Sequence, residues 1–259
     1  MKKQILAALG EHPWAAHLHR FDSIGSTNDH AKQLADGGAP HGTVILAGRQ
    51  TCGRGRTGHT FQSDDGGMYL SVILRPACKA DKLMHLTCAA ACAACDAIED
   101  ATGFRPGIKW INDILSGDRK LGGILTELSI GASGDVKYAV VGIGINCLQE
   151  TADFPPELRS IAVSLKTVTG KSVSVSALAA AMIRSLSRMD RRLLTDQAGI
   201  MAQYRRDCTT VGQQTVVREH GKDRCATVTG IRDDGALILQ YDDGTSFAVN
   251  SGEYSFHKT

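Results

Sequence analysis

The chain has 259 residues, of which 42% are hydrophobic, with 29 basic and 27 acidic side chains and a formal net charge of +2. This near-neutral balance excludes bulk electrostatic attraction to nucleic acid or to a membrane surface, so any anion must be recognised locally. The composition is that of a globular protein, and no apolar run reaches membrane-spanning length. Because the start lacks a convincing signal peptide, we expect a cytoplasmic protein without a nucleic-acid or membrane partner.

The chain contains eight cysteines, a number that suits a disulfide framework in a small secreted protein. This chain is large and shows no export signal, so free buried thiols are expected instead. Cys88, Cys92 and Cys95 are spaced to share one face of an Ala-rich helix. A metal site there is one interpretation, but His85 apart no zinc-like ligand spacing accompanies them, and core packing is favoured.

In chain order, the first 20 residues are short and helical at best. Ser26, Thr27 and Asn28 then precede an amphipathic segment that ends at Gly37-Gly38, which predicts a capped helix. Three consecutive small polar side chains at a helix start can also present hydroxyls and an amide to a polar ligand. The spacing alone favours the cap.

The segment Gln50–Phe61, QTCGRGRTGHTF, holds three glycines and two arginines within six residues. Glycine lets the backbone bring its N–H groups close to a ligand, and Arg54 and Arg56 add forked, charged donors, so the segment predicts an anion site. The glycines match the G-x-G-x-x-G spacing of dinucleotide sites, but no helix follows them and no acidic residue stands about 20 positions on. The Walker phosphate-loop pattern is also absent, and a basic surface loop is the alternative.

Periodicity and turn signals predict strands and a helix around this loop. The strands are residues 42–49, 68–75, 107–113, 120–128 and 136–146, and the helix spans about Asp81 to Ala101. The third and fourth strands indicate a hairpin. Lys109 and Lys120 stand in or beside them and are surface charges by base rate, whereas the glycines nearby permit close approach of a ligand.

A further helical region spans about 176–206, with leucines and methionines at helical spacing. Its arginines suit a nucleic-acid helix or, more readily, a solvated face opposite a core stripe. From Gln213 onward short strands alternate with turns, which predicts a small β-barrel of about 50 residues.

Six motifs occur in a fixed order along the chain. They are Ser-Thr-Asn at 26–28, Gln50 with Gly-Arg-Gly-Arg at 53–56, Lys-Trp-x-Asn-Asp at 109–113, Arg-Lys-Leu-x-Gly-Ile-Leu-x-Glu at 119–127, Gly-x-Gly-Ile-Asn at 142–146, and Gly-Glu at 252–253. Over nearly the whole chain this series resembles the biotin–protein ligases (biotin–[acetyl-CoA-carboxylase] ligases), of the shorter type without the DNA-binding repressor domain. The chain departs from the family pattern at Ile111, where proline is usual, and at Phe61, where many members have tryptophan.

The resemblance implies an α+β fold, with a mixed central sheet and helices like those of the class II aminoacyl-tRNA synthetases and the biotin and lipoate ligases at residues 1–210. An SH3-like β-barrel is implied at 211–259. The implied reaction has two steps: biotin and Mg-ATP give biotinyl-5′-AMP and pyrophosphate, and a lysine of the biotin carrier domain of acetyl-CoA carboxylase attacks the anhydride. A monomer and a homodimer both fit the family.

The resemblance also implies roles for individual residues. Arg56 and Lys120 are expected nearest the chemistry, bridging the biotin carboxylate and the α-phosphate, because two anions must be brought together against their repulsion. Biotin contacts are further expected from Ser26, Thr27, Asn28, Gln50, Arg54, Gly55, Gly122, Gly123, Gly142 and Gly144, the last four making room for the bicyclic ring. Nucleotide contacts are expected from Arg54, Lys109, Asn112, Asn146 and Phe61, whose ring would stack on the adenine.

Two other functions stay open on the sequence. A lipoate ligase or octanoyl transferase of the same superfamily also acylates a carrier lysine, although those families lack the Gly-Arg-Gly-Arg loop. The other is a non-catalytic module that senses biotin or associates with RNA through the C-terminal barrel. We also expect residues 53–64 to be mobile without ligand and to close over biotin or its adenylate, because closure shields a hydrolysable anhydride from water.

Overall fold

A computed structural model of the chain describes residues 1–219, 222–250 and 256–257. Within these ranges the α-helices are α1 Lys2–Leu9, α2 Thr27–Asp36, α3 Leu86–Thr102, α4 Leu165–Thr169, α5 Val175–Arg192 and α6 Gln197–Asp207. The strands are β1 Leu18–Phe21, β2 Thr43–Ala47, β3 Gly67–Leu74, β4 Gly107–Lys109, β5 Asp113–Ser116, β6 Arg119–Ile130, β7 Val136–Asn146, β8 Gln214–Glu219, β9 Lys222–Ile231, β10 Leu237–Tyr241, β11 Ser246–Val249 and β12 Phe256–His257.

The first seven strands form one sheet in the order β1-β2-β3-β7-β6-β5-β4. Only β1 and β2 run parallel, and the other pairs are antiparallel, so the predicted mixed central sheet is confirmed. Side chains alternate between its faces. Val44 and Leu46 belong to the large core with α3 and α5, while Ile45 joins the smaller cluster under α2. Both faces of β2 and β3 are covered, which explains their continuous apolar runs.

Helix α3 packs closely because its inward residues are small. Cys88, Cys92 and Cys95 are buried free thiols in the large core, as expected from the sequence. Burial raises the pKa of the Cys88 thiol to about 12, so this thiol stays protonated. No group of three or more metal-ligating side chains occurs in the described part of the chain. The burial of these cysteines in the large core supports their interpretation as core residues.

Three element predictions differ from the structure. Residues 18–21 form β1, where a helix at best was expected, because this short strand pairs only with β2 and shows little apolar alternation. The expected hairpin is three strands, since the chain reverses after β4 through a turn with a cis peptide bond between Trp110 and Ile111. The long helical region divides into α5 and α6, where the Asp196 side chain caps the second helix.

The C-terminal strands form a second, antiparallel sheet in the order β11-β10-β9-β8-β12. The predicted change to short strands after residue 213 is thereby confirmed, while Gly252 and Glu253 of the last motif lie outside the described residues. Trp110 connects the two sheets, because its buried Nε1–H donates to the Gly235 carbonyl at 2.9 Å. Among the described helices, none combines the length and hydrophobicity needed to cross a membrane.

Candidate active site

A cavity of about 490 Å³ collects most of the predicted site residues. It lies where the start of α2, the loop after β2, the β4–β5 turn and the strands β6 and β7 meet. Four of its described lining residues are Arg or Lys and one, Asp113, is a carboxylate, so the cavity suits an anionic ligand. The lining comprises Ser26, Thr27, Asn28, Gln50, Arg54, Gly55, Arg56, Thr57, His59, Thr60, Phe61, Lys109, Trp110, Asn112, Asp113, Lys120, Gly123, Ile124, Leu125, Gly142, Ile143 and Gly144.

The start of α2 serves both as a helix cap and as a polar wall of the cavity. Ser26 Oγ accepts a hydrogen bond from the Asp29 N–H at 3.3 Å, which confirms the predicted cap. The N–H and the Oγ1–H of Thr27 both donate to Gln50 Oε1, at 2.7 and 2.9 Å. Gln50 Nε2 donates in turn to Ser63 Oγ at 2.9 Å. These bonds fix the Gln50 amide and join α2 to the loop after β2.

Asn28 is 5% exposed, and protein groups hold both ends of its amide. Its Nδ2 donates to the Leu125 carbonyl at 3.2 Å and to Glu127 Oε2 at 2.9 Å. Its Oδ1 lies 2.6 Å from the Ser71 hydroxyl, which donates to it. A Cβ on Gly142 would lie 2.0 Å from Asn28 Oδ1. In this structure the missing side chain of Gly142 therefore makes room for the Asn28 amide.

The glycine-arginine loop folds into a small hairpin. The Gly55 N–H donates to the His59 carbonyl at 2.7 Å, and the Phe61 N–H donates to the Gly53 carbonyl at 3.0 Å. A Cβ on Gly53 would lie 2.3 Å from the Phe61 carbonyl oxygen, so glycine is required for the close approach of the two arms. The tip is a three-residue 3₁₀ turn and the chain continues into β3, which is not the strand-to-helix context of a dinucleotide site.

Arg54 leaves this hairpin to join a cluster of four charges. Its NH1 lies 2.5 Å from Asp29 Oδ1 and 3.2 Å from Glu127 Oε1, and Lys32 Nζ lies 2.9 Å from each of the same oxygens. Burial by itself would raise the pKa of the Asp29 and Glu127 carboxyls. The hydrogen bonds that these carboxyls accept from Lys32 and from their other partners outweigh burial and hold both pKa values below the ordinary ones. Two carboxylates outside the described cavity lining thus hold Arg54 in place.

Arg56 and Lys120 enter the cavity from separate elements and meet two consecutive residues, Asn112 of the β4–β5 turn and Asp113 at the start of β5. Arg56 NH1 lies 3.4 Å from Asn112 Oδ1, and Lys120 Nζ lies 2.6 Å from Asp113 Oδ1. Asn112 is itself fixed, because its Nδ2 donates to the Ile124 carbonyl at 3.0 Å. The structure therefore brings together the two residues that the resemblance places nearest the chemistry.

The ring of Phe61 lies against the glycines of β6 and β7. A Cβ on Gly144 would lie 2.6 Å from Phe61 Cε1, and one on Gly123 would lie 3.3 Å from Phe61 Cε2. Lys120 Nζ lies 5.8 Å from the centre of the same ring, within the range of a cation–π contact. The ring therefore occupies the space that these two glycines leave open.

Two predicted site residues do not belong to the described lining of the cavity. A Cβ on Gly122 would lie 2.5 Å from the Gly144 carbonyl oxygen, so Gly122 permits the close approach of β6 and β7. The amide of Asn146 turns away and donates to the Val163 carbonyl at 3.1 Å. In this structure Gly122 and Asn146 support the walls, and the other predicted residues line the cavity itself.

Sequence reasoning gave no role to three residues that hold the lining in place: Ser63, Ser71 and Glu127. Ser71 is fully buried on β3 and touches both Thr27 and Asn28, at 2.8 and 2.6 Å. The sequence did contain one indication of this role. Ser71 lies in a predicted buried strand, and a buried hydroxyl needs a hydrogen-bond partner. Glu127 is the last residue of the motif at 119–127. Its partners come from distant segments of the chain, so its contacts could not be read from the motif.

The comparisons with known proteins agree with one another. The model of the biotin/lipoate A/B protein ligase family matches residues 21–146. The bifunctional ligase/repressor BirA of Bacillus subtilis is 34% identical over 230 residues, which are 88% of this chain and 70% of that protein. The biotin–[acetyl-CoA-carboxylase] ligase of Paracoccus denitrificans is 32% identical over 225 residues, covering 83% of this chain and 90% of the relative.

A solved structure gives the same fold. The biotin protein ligase from Aquifex aeolicus in complex with biotin and ATP superposes with a TM-score of 0.77 at 24% identity. The match covers 94% of this chain and 99% of the Aquifex chain. The chain therefore shares its fold, including the large mixed sheet, with that protein.

Proposed function

Because the chain belongs to the biotin protein ligase family, we propose that it activates biotin with ATP as biotinyl-5′-AMP and transfers the biotinyl group to a lysine of a carrier domain. The proposed acceptor is the biotin carrier domain of acetyl-CoA carboxylase, by analogy with the name of the Paracoccus relative. The Aquifex complex supports biotin and ATP as the two small substrates.

The observation that carries the proposal is the pair of cations, Arg56 and Lys120, in the cavity lining. Arg56 comes from the hairpin and lies beside Asn112, and Lys120 comes from β6 and lies beside Asp113. The wall formed by Thr27, Asn28 and Gln50 is polar and uncharged. A ligand with a neutral hydrogen-bonding ring and an anionic tail matches this lining. The ring would meet neutral hydrogen-bonding groups, and the tail would meet the two cations.

In the first step, a carboxylate oxygen of biotin attacks the α-phosphorus of ATP. A P–O bond forms, the bond to the bridging oxygen breaks, and pyrophosphate leaves with the electron pair. The two reactants are both anions, so their repulsion is the main obstacle to close approach. Arg56 and Lys120 would offset it and stabilise the charge on the phosphoryl oxygens in the transition state.

In the second step, the amine of the carrier lysine attacks the carbonyl carbon of the anhydride. The bond from that carbon to the phosphate oxygen breaks, AMP leaves with the electron pair, and the nitrogen releases a proton to form the amide. The same two cations would remain beside the phosphate and stabilise it as a leaving group. Burial of the anhydride in the cavity would limit its loss to water.

Magnesium is proposed to enter with ATP as part of that substrate. Mg²⁺ is commonly held by one or two carboxylates together with substrate phosphates rather than by a cage of protein ligands. Asp113 is the carboxylate in the described lining and lies beside Lys120. It is therefore the side chain of this chain that would contribute to binding the ion.

We further propose a catalytic domain at residues 1–210 and an SH3-like barrel at 211–259. The strand order of the C-terminal sheet supports this division, as does the irregularity between Ile238 and Leu239 where β10 pairs with β9. Such irregularities bend strands and help a small sheet to curve.

A substrate comparison tests the function. The protein is incubated with ATP and biotin or with ATP and lipoate, and pyrophosphate release is measured. We expect pyrophosphate release with ATP and biotin and none with ATP and lipoate. Release with lipoate would favour a lipoate ligase, and no release with either acid would favour a binding module without catalysis.

A further inference from the structure

Glu127 is a half-buried carboxylate whose two oxygens serve two different parts of the site. Its Oε2 accepts a hydrogen bond from Asn28 Nδ2 at 2.9 Å. Its Oε1 lies 2.9 Å from Lys32 Nζ and 3.2 Å from Arg54 NH1. One side chain of β6 therefore contacts both the start of α2 and the glycine-arginine hairpin.

The contact with Glu127 decides which way the Asn28 amide faces. Both N–H groups of Asn28 are used, one on Glu127 and one on the Leu125 carbonyl, and Oδ1 faces Ser71 beside Gly142. In the reversed orientation Oδ1 would face a carboxylate, which can only accept hydrogen bonds. Glu127 therefore excludes the reversed amide.

The remaining hydrogen-bonding capacity of Asn28 is a lone pair on Oδ1, because an amide oxygen accepts two hydrogen bonds. A ligand group at this point must therefore donate. The ureido ring of biotin carries N–H donors, whereas the dithiolane ring of lipoate and an alkyl chain carry none. Because Oδ1 already accepts a hydrogen bond from Ser71, a ligand without N–H groups forfeits one further hydrogen bond here, and this loss is the basis of the selectivity.

We propose that Glu127 is a positioning residue that makes the site selective for a ring bearing N–H groups, by holding the Asn28 amide with its oxygen toward the ligand. This inference rests on the proposed function and adds the residue that sets its substrate class. Glu127 acts through Asn28 and does not itself touch the substrate. Lys32 and Arg54 keep the carboxylate charged and fixed in place.

The test compares Glu127→Ala and Glu127→Gln with Glu157→Gln, an exposed residue outside the cavity. Pyrophosphate release is measured at varied biotin and at varied ATP. In Glu127→Ala the KM for biotin is expected to rise about 10- to 100-fold, the effect of losing one hydrogen bond to a charged group. The KM for ATP should rise less, because Arg54 keeps Asp29 as its partner. Glu127→Gln keeps an acceptor for Asn28 and should recover part of the biotin affinity. The control should match the wild type.

An unchanged KM for biotin in Glu127→Ala, or equal increases in both KM values, would overturn the inference. A second measurement uses Asn28→Ala alone and combined with Glu127→Ala. If Glu127 acts through Asn28, the double variant loses no more biotin affinity than Asn28→Ala does, whereas additive losses contradict the inference. Failure of the wild type to release pyrophosphate with biotin would instead refute the proposed function, so the two failures are distinguishable.

Discussion

The ammonium group of Lys120 lies 2.6 Å from the carboxylate of Asp113, and these residues belong to adjacent strands of the central sheet. Asn112, which directly precedes Asp113, has its Oδ1 3.4 Å from Arg56 NH1. Two consecutive residues, at the end of the β4–β5 turn and the start of β5, therefore hold both cations before substrate binds. Such preorganisation reduces the cost of arranging charge during the reaction.

Replacing Lys120 or Arg56 by Ala is expected to reduce biotin-dependent pyrophosphate release by at least about 100-fold, because each removes a charge that is proposed to stabilise the transition state. Stability should change little, since Lys120 is 38% exposed and Arg56 is half-buried. Activity and thermal unfolding are measured on the same samples.

Lys171→Ala serves as the matched control for these two variants, because Lys171 is exposed and lies outside the cavity lining. Near-normal pyrophosphate release by Lys120→Ala or by Arg56→Ala would contradict the assigned roles.

Trypsin should cut after Arg56 in the free protein and more slowly once biotin and ATP are present. The hairpin tip is exposed from Thr57 to Thr60, so its backbone is accessible, and closure over a ligand would protect it. Cleavage is followed by mass spectrometry with and without the two substrates. An unchanged cutting rate at Arg56 would refute closure of the hairpin.

Gly142→Ala should weaken biotin binding, because the new Cβ would lie 2.0 Å from Asn28 Oδ1 and displace the amide. Gly131→Ala is the control: the nearest atoms to its added Cβ lie at 3.6 Å, which is ordinary contact. Calorimetric titration with biotin compares the two variants. Equal affinities would show that the Asn28 amide is not fixed where the structure places it.

The charge cluster predicts a pH dependence of stability. The pKa of Glu127 is lowered from 4.5 and that of Asp29 from 3.8, so the folded protein binds these protons less tightly than the unfolded chain. Their stabilisation is complete above the ordinary pKa values and is lost as the pH falls through the lowered ones. Urea unfolding should separate wild type from Glu127→Gln at about pH 7, and the difference should be smaller at about pH 4, below the ordinary pKa of 4.5. Glu157→Gln should follow the wild type at both.

Trp110→Phe removes the indole donor to the Gly235 carbonyl and should destabilise the fold by about 1–3 kcal/mol, the cost of an unpaired buried polar group. It should also lower the rate of pyrophosphate release, since Asn112 and Asp113 closely follow Trp110 in the chain. Trp14 is equally buried, at 6% exposure, but lies outside the cavity lining, so Trp14→Phe should leave the KM for ATP unchanged. Urea unfolding and ATP titration check both statements.

The strands that hold the site could be predicted because they are buried on both faces. Residues 42–49, 68–75 and 136–146 were predicted from apolar runs, and β2, β3 and β7 fall within two residues of these limits. The glycine-arginine loop was also placed correctly between β2 and β3. Local pattern suffices for such elements because burial depends on each strand's own composition.

The division of labour among similar residues could not be predicted in the same way. Arg54 and Arg56 look alike in the sequence, yet one joins Asp29 and Glu127 and the other faces Asn112. These partners lie 25 to 73 positions away in the chain, so only the tertiary fold distinguishes the two arginines. The alternation of residues along a strand, by contrast, already implies that Gly122 and Gly123 lie on opposite faces of β6.

The bond between Trp110 and Gly235 also has a consequence for biosynthesis. A ribosome has made every residue of the described cavity lining by the time it reaches Gly144, but the carbonyl that receives the indole proton of Trp110 comes 91 positions later. The turn that leads into Asn112 and Asp113 therefore reaches its final support only when the second sheet is being completed. A nascent chain halted before that point would carry the residues of the site without their finished geometry.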